Sequence, residues 1–107
     1  MPFKYERVKA EGDYVSMSDA KKLGEPLEVM EVIDDANNVY AGEKKPRWLV
    51  KGTFGDSEKV CLVSVPKGGY SRDDFLVALI DHLDNGGDAQ IRFVGVPNSN
   101  YIDIVSA

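Results

Sequence analysis

A chain of 107 residues, 43% hydrophobic and 29% charged, has the material for one compact core and lacks the composition of a disordered segment. A single cysteine, Cys61, excludes an internal disulfide, and with His82 as the only histidine there is no ligand set for a structural zinc. No apolar run approaches the ~20 residues of a membrane span, and the formal net charge of -5 argues against a general polyanion binder.

In chain order, "PFKYERV" (2–8) reads as a short strand with Phe3 and Tyr5 on one face. "SMSDAKKLGE" reads as one or two helical turns, with Ser16 or Ser18 as N-cap, Lys21 and Lys22 late, and Gly24 as the stop. Nothing at the N-terminus has the form of a secretory signal, and together with the lone cysteine this gives a cytoplasmic expectation. "PLEVMEVI" (26–33) is a strand whose apolar phase changes within it. Leu27 and Val29 take one face, Met30 and Val32 the other, as a bent or bulged strand would show. "DDANNVYAGEKKP" (34–46) reads as a long polar loop, with Asp34 and Asp35 solvating its start.

"RWLVKGTF" (47–54) alternates: Trp48, Val50, Gly52 and Phe54 share one face, and Arg47, Leu49, Lys51 and Thr53 the other. "GDSE" is a hairpin turn into "KVCLVSVP" (59–66). "SRDDFLVALIDHLDNGG" (71–87) is a helix, with Ser71 as N-cap, Asp74 in a capping-box position and Tyr70 as a candidate staple. Phe75, Leu76, Leu79, Ile80 and Leu83 form its core stripe, and Gly86 or Gly87 ends it. "AQIRFVGV" (89–96) and "YIDIV" (101–105) are strands joined by the turn "PNSN".

Three strands, a helix and two strands, with a long loop between the first pair, is the order of a five-stranded OB-fold-like Greek-key barrel. The expected class is therefore mainly β, a barrel with its helix between strands three and four. Residues 1–25 are an N-terminal extension packing on a barrel of residues 26–107. A β-grasp arrangement is the alternative.

The charge is uneven. From Lys44 to Lys67 six basic residues face two acidic ones, whereas Asp73 to Asp88 holds five aspartates and no lysine or arginine. No phosphate loop, nucleophile elbow or zinc-protease helix is present, so no enzyme, cofactor or metal is expected. His82 reads as a solvated or capping residue and Cys61 as an inert strand thiol. The basic–aromatic collection is the functional signal, because single strands need cations along the phosphate path and flat rings on which bases stack. Phosphate contacts are expected from Lys44, Lys45, Arg47, Lys51, Lys59 and Arg92, and stacking from Tyr40 and Tyr101. Two readings stand at Trp48, a stacking platform or a core residue beside Val50 and Phe54. Charge reversal at Arg47 and Lys51 is expected to remove binding while moving stability by less than about 0.5 kcal/mol.

On this element order and on "KKPRWLVKGTF", residues 26–105 resemble small OB-fold single-stranded DNA-binding proteins, particularly the compact phage-encoded kind. The resemblance implies sequence-tolerant single-stranded DNA binding in replication, recombination or repair. Host or phage replication proteins become possible partners, homo-oligomerisation is open, and no membrane is involved. The competing expectation is a protein-interaction module or modulator of a host protein, working through its acidic helix.

Overall fold

A computed structural model describes residues 12–107 of the chain. The strand expected at 2–8 lies outside the described residues, as does the side chain of Tyr70. The elements are β1 (Asp13–Ser16), α1 (Met17–Leu23), β2 (Leu27–Asp35), β3 (Val39–Tyr40), β4 (Glu43–Lys44), β5 (Arg47–Phe54), β6 (Val60–Pro66), α2 (Tyr70–Asp84), β7 (Gln90–Gly95) and β8 (Ile102–Ser106). The chain is mainly β, a curled six-stranded half-barrel of order β1-β6-β5-β2-β7-β8, with β3 and β4 as a separate two-stranded ribbon. All neighbours in the large sheet are antiparallel except β1, which runs parallel to β6 through Asp13–Cys61 and Ser16–Ser64.

The five expected strands are β2, β5, β6, β7 and β8; β1 is an addition to them. Its residues, "DYVS", are too short and too polar to show a strand pattern on their own. Their backbone is fixed by the free edge of β6. Directly after it, α1 forms where its sequence signals place it. Ser16 caps it, its Oγ accepting the Asp19 N–H at 3.1 Å, and Gly24 ends it in the left-handed conformation at φ 66°. With Ala20 buried, α1 lies against β1, β6, β7 and β8, across the gap between the two ends of the sheet.

The phase change in β2 is a bulge. Pairing with β5 runs Val29–Gly52 and then Glu31–Lys51, so Met30 has no opposite residue. The extra residue returns Val32 to the core face that Val29 occupies, and Met30 points out to solvent with Glu31. This corrects the expectation that Met30 and Val32 share a face. β2 also extends to Asp35, so Asp34 and Asp35 belong to the sheet instead of a solvated loop. The polar segment after it forms a ribbon of its own, Val39 opposite Lys44 and Tyr40 opposite Glu43. Ala41 (φ 53°) and Gly42 (φ 78°) make the turn. Two successive left-handed residues give the turn that matches strand twist, with alanine carrying the strain that glycine avoids.

The core lies on the concave face: Leu27, Val29, Trp48, Val50, Phe54, Val63, Val65, Ile91, Phe93, Ile102 and Ile104, closed by Leu76 and Leu79 of α2. The helix stripe packs as its spacing predicts, with Phe75, Ile80 and Leu83 half-buried beside it. Its start differs from expectation. The cap position is Gly69, without a side-chain hydrogen bond, and Ser71 is inside the first turn. Asp73 does the fastening: its Oδ2 accepts the Gly68 N–H at 2.8 Å and its Oδ1 accepts the Trp48 indole N–H at 3.0 Å. Asp73 is thus half-buried and held apart from the exposed Asp74, Asp81 and Asp84 of the same helix. Asp73→Ala is expected to cost about 2 kcal/mol, because it strands a buried indole N–H. Urea titration of the two proteins checks this.

At the other end of α2, His82 Nε2 lies 2.8 Å from the Asp88 carbonyl, which ties the following loop to the helix. Cys61 is half-buried at the core edge.

Candidate nucleic-acid interface

The β3–β4 ribbon is held at its base. The Lys45 N–H donates to the Asn38 carbonyl at 2.8 Å, and the Asn38 side-chain amide donates back to the Lys45 carbonyl at 3.0 Å. So fixed, the ribbon stands beside the ends of β5 and β6 and encloses a cleft of about 570 Å³, lined by Val39, Tyr40, Lys45, Arg47, Ser64 and Lys67 among others. That is within the ~300–1,000 Å³ range of small-ligand sites. Tyr40 is 73% exposed, the largest exposure among the big apolar side chains of the described residues. A tyrosine so placed presents most of its ring to the cleft and to solvent.

The cations of the cleft are paired. Arg47 Nε donates to Asp35 Oδ2 at 2.8 Å and Nη1 to Ser64 Oγ at 3.2 Å, while its guanidinium lies 5.4 Å from the Tyr14 ring centroid. Lys45 Nζ is 3.1 Å from Glu43 Oε2. Lys67 Nζ bonds Asp34 Oδ1 and lies 4.2 Å from the Trp48 ring centroid. Each cation lining the cleft meets one carboxylate, so the cleft is close to neutral and a polyanion must displace acids to use these groups.

Of the residues expected to bind nucleic acid, Tyr40, Lys45 and Arg47 meet at this cleft, and Lys44 is exposed on the same ribbon with no ion pair among the described residues. Lys51 follows along β5, opposite Glu31 in register and without an ion pair among the described residues. The strand face between them is not an open platform. Leu49 and Leu62 are fully buried on it, and Arg47, Lys51 and Thr53 are half-buried. The other expected residues lie elsewhere. Lys59 precedes β6 at its far end, 2.6 Å from Asp13, whose hydrogen bond and charge raise the ammonium pKa above its ordinary value. As a fully exposed pair it adds little to stability. Arg92 Nη1 donates to the Gly24 carbonyl at 2.6 Å, pinning the end of α1 to β7. Tyr101 is 37% exposed, with the Arg72 guanidinium 4.6 Å from its ring centroid.

Trp48 is a core residue. It is 7% exposed, hydrogen-bonded to Asp73 and covered by Lys67, so its ring offers no face to a base. Sequence reasoning gave Asp34, Asp35, Ser64, Lys67 and Arg72 no role at a site. Asp34 and Asp35 were legible only through the β2–β5 register. Arg72 carried one signal, a cation in the first turn of a helix, where the dipole disfavours it.

Among the described residues there is no group of three histidine, cysteine or carboxylate side chains placed to hold a metal ion, and no helix long and apolar enough to cross a membrane. No protein-family model, curated protein or solved structure matches the chain.

Proposed function

We propose that the chain is an OB-type barrel that binds single-stranded nucleic acid at the cleft between the β3–β4 ribbon and the ends of β5 and β6. The barrel reading is supported by strand order. Omitting β1, the sheet runs β6-β5-β2-β7-β8, the third, second, first, fourth and fifth strands of that fold, and α2 follows the third. The β3–β4 ribbon then occupies the loop between the first two strands, which in such folds flanks the ligand. The observation that carries the binding reading is Tyr40, a 73% exposed ring on the wall of a cleft at this place.

The ion pairs alter the mechanism from that expected of a basic strand. Stacking on Tyr40 supplies the specific contact, and Lys44 and Lys51, without ion pairs among the described residues, supply the phosphate contacts. With about two such contacts, log K falls against log salt with a slope of only about -1.4. Binding of a labelled dT oligomer, followed by anisotropy, tests this. Tyr40→Ala is expected to weaken binding by about 5- to 150-fold, the equivalent of losing one stacked base at roughly 1–3 kcal/mol. Absence of any anisotropy change at low salt, at tens of micromolar protein, would sink the reading.

The same three ion pairs favour a second reading, a protein-interaction module, since a neutral cleft and a net charge of -5 suit a partner other than a polyanion. In that reading the exposed Asp74, Val77, Asp81 and Asp84 of α2 form the working surface. Reversing those charges then abolishes nuclease-insensitive partner capture and leaves dT binding unchanged.

A further inference from the structure

Arg72, in the first turn of α2, is 8% exposed, and no carboxylate pairs with it among the described residues. Its Nη1 donates to the Ile102 carbonyl at 3.1 Å and approaches Met17 Sδ at 3.6 Å, both neutral acceptors. Its Nε is buried with no hydrogen-bond partner among the described residues. The guanidinium lies between the Tyr101 ring and the backbone of Gly69, where an added Cβ would come within 2.5 Å of Nη2. The one acid beside it in sequence, Asp73, is committed to Trp48 and Gly68. Removing a guanidinium from water costs several kcal/mol unless an anion compensates it. The positive end of α2 adds to the local potential instead of relieving it.

This side chain lines a second cavity of about 390 Å³, at the seam where α1 separates β6 from β8. Ser16, Ser18, Asn100 and Tyr101 line it too, and no acidic residue does among the described residues. The Ser16 Oγ accepts from the Asp19 N–H and keeps its own proton to donate. Ser64 and Pro66 line both this cavity and the ribbon cleft, so the two are neighbours across β6.

We infer that the seam cavity is a phosphate subsite, with Arg72 as its buried charge and Ser16, Ser18 and Asn100 as donors at its wall. A guanidinium with hydroxyl and amide donors around it suits the several oxygens of a tetrahedral phosphate better than the two of a carboxylate. The phosphate comes either from a free phosphorylated small molecule or from a strand that crosses Pro66 from Tyr40 to Tyr101. Only the second source rests on the nucleic-acid reading.

The test uses the full chain labelled with nitrogen-15. Inorganic phosphate is titrated at constant ionic strength against chloride while the Arg72 Nε–H resonance is followed. A saturable shift, with a rise in Tm of about 5 °C at ten times Kd, is the expected result. Arg72→Lys keeps the charge but loses the fork, and is expected to weaken phosphate at least tenfold. If that variant does not fold, Ser18→Ala with Asn100→Ala is the substitute, expected to weaken it about fivefold. No shift beyond the chloride control, or one that never saturates, overturns the subsite. A dT oligomer that binds through Tyr40 without moving Arg72 leaves free phosphate as the source. Phosphate binding without any dT binding rejects the nucleic-acid reading and keeps the subsite.

Discussion

Gly52→Ala is expected to lower the unfolding free energy by about 3 kcal/mol, the upper end of the usual cost of forcing an atom into filled space. A Cβ at Gly52 would lie 2.1 Å from the Glu28 carbonyl oxygen and 3.0 Å from Leu27 Cδ1. The carbonyl belongs to the part of β2 held on both sides, where Leu27 and Glu28 pair with β5 and also with β7. It cannot move without disturbing both ladders. The bulge at Met30 begins two residues later and brings the strands this close, so the glycine and the bulge form one device for bending the sheet. Gly95→Ala is the control. The nearest atoms to its Cβ would be those of the Lys21 side-chain end, from 3.2 Å, which can swing away, so a change within about 0.5 kcal/mol is expected. Urea midpoints at unchanged m-value read both. Equal stability of the two variants would refute the close approach at Gly52.

That pairing of a bulge with a glycine shows what the sequence could and could not disclose. The break in alternation at Met30, the mark of a bent or bulged strand, and the glycine in "RWLVKGTF" were each visible. That one answers the other depends on the register between β2 and β5, which no local pattern carries. Regular periodicities read well for the same reason that registers read badly. The stripe from Phe75 to Leu83 and the alternation from Arg47 to Phe54 are set by the geometry of one element with itself. β1 was missed because four residues with a single aliphatic side chain among them become a strand only through the open edge of β6. The ribbon at Val39–Lys44 was missed because its turn puts alanine, not the usual asparagine or aspartate, at the first left-handed position.

The candidate site followed the same division. Tyr40 was legible as an aromatic with no partner in a polar segment. The neutrality of the cleft was not, since Asp34 and Asp35 meet Lys67 and Arg47 only when β2 runs two residues beyond its apolar stretch. Ser71 looked like a cap from its spacing to Asp74, but the fastening of Trp48 and Gly68 fell to Asp73.

Charge inversion at Arg47 and at Lys51, alike on sequence grounds, should give opposite results. Arg47→Glu is expected to destabilise the fold by about 2–3 kcal/mol, just below the range for breaking a fully buried pair. The Asp35 side chain is 8% exposed, and Arg47 Nε is its hydrogen-bond donor; the Arg47 side chain itself is 23% exposed. Inversion leaves a nearly buried carboxylate facing a second one and also removes the bond to Ser64. Lys51→Glu faces Glu31 on one side and Leu62 on the other and breaks no ion pair among the described residues, so it should cost a few tenths of a kcal/mol. An Arg47→Leu, Asp35→Leu double variant should recover most of the stability, because replacing both partners removes the stranded charge. Wild-type stability in Arg47→Glu would show that the pair does not hold β2 to β5. The consequence for function is direct. Loss of dT binding in Arg47→Glu reports unfolding as much as lost contact, and must be corrected for the folded fraction. In Lys51→Glu and Lys44→Glu the same loss, at unchanged urea midpoint, reports the interface itself.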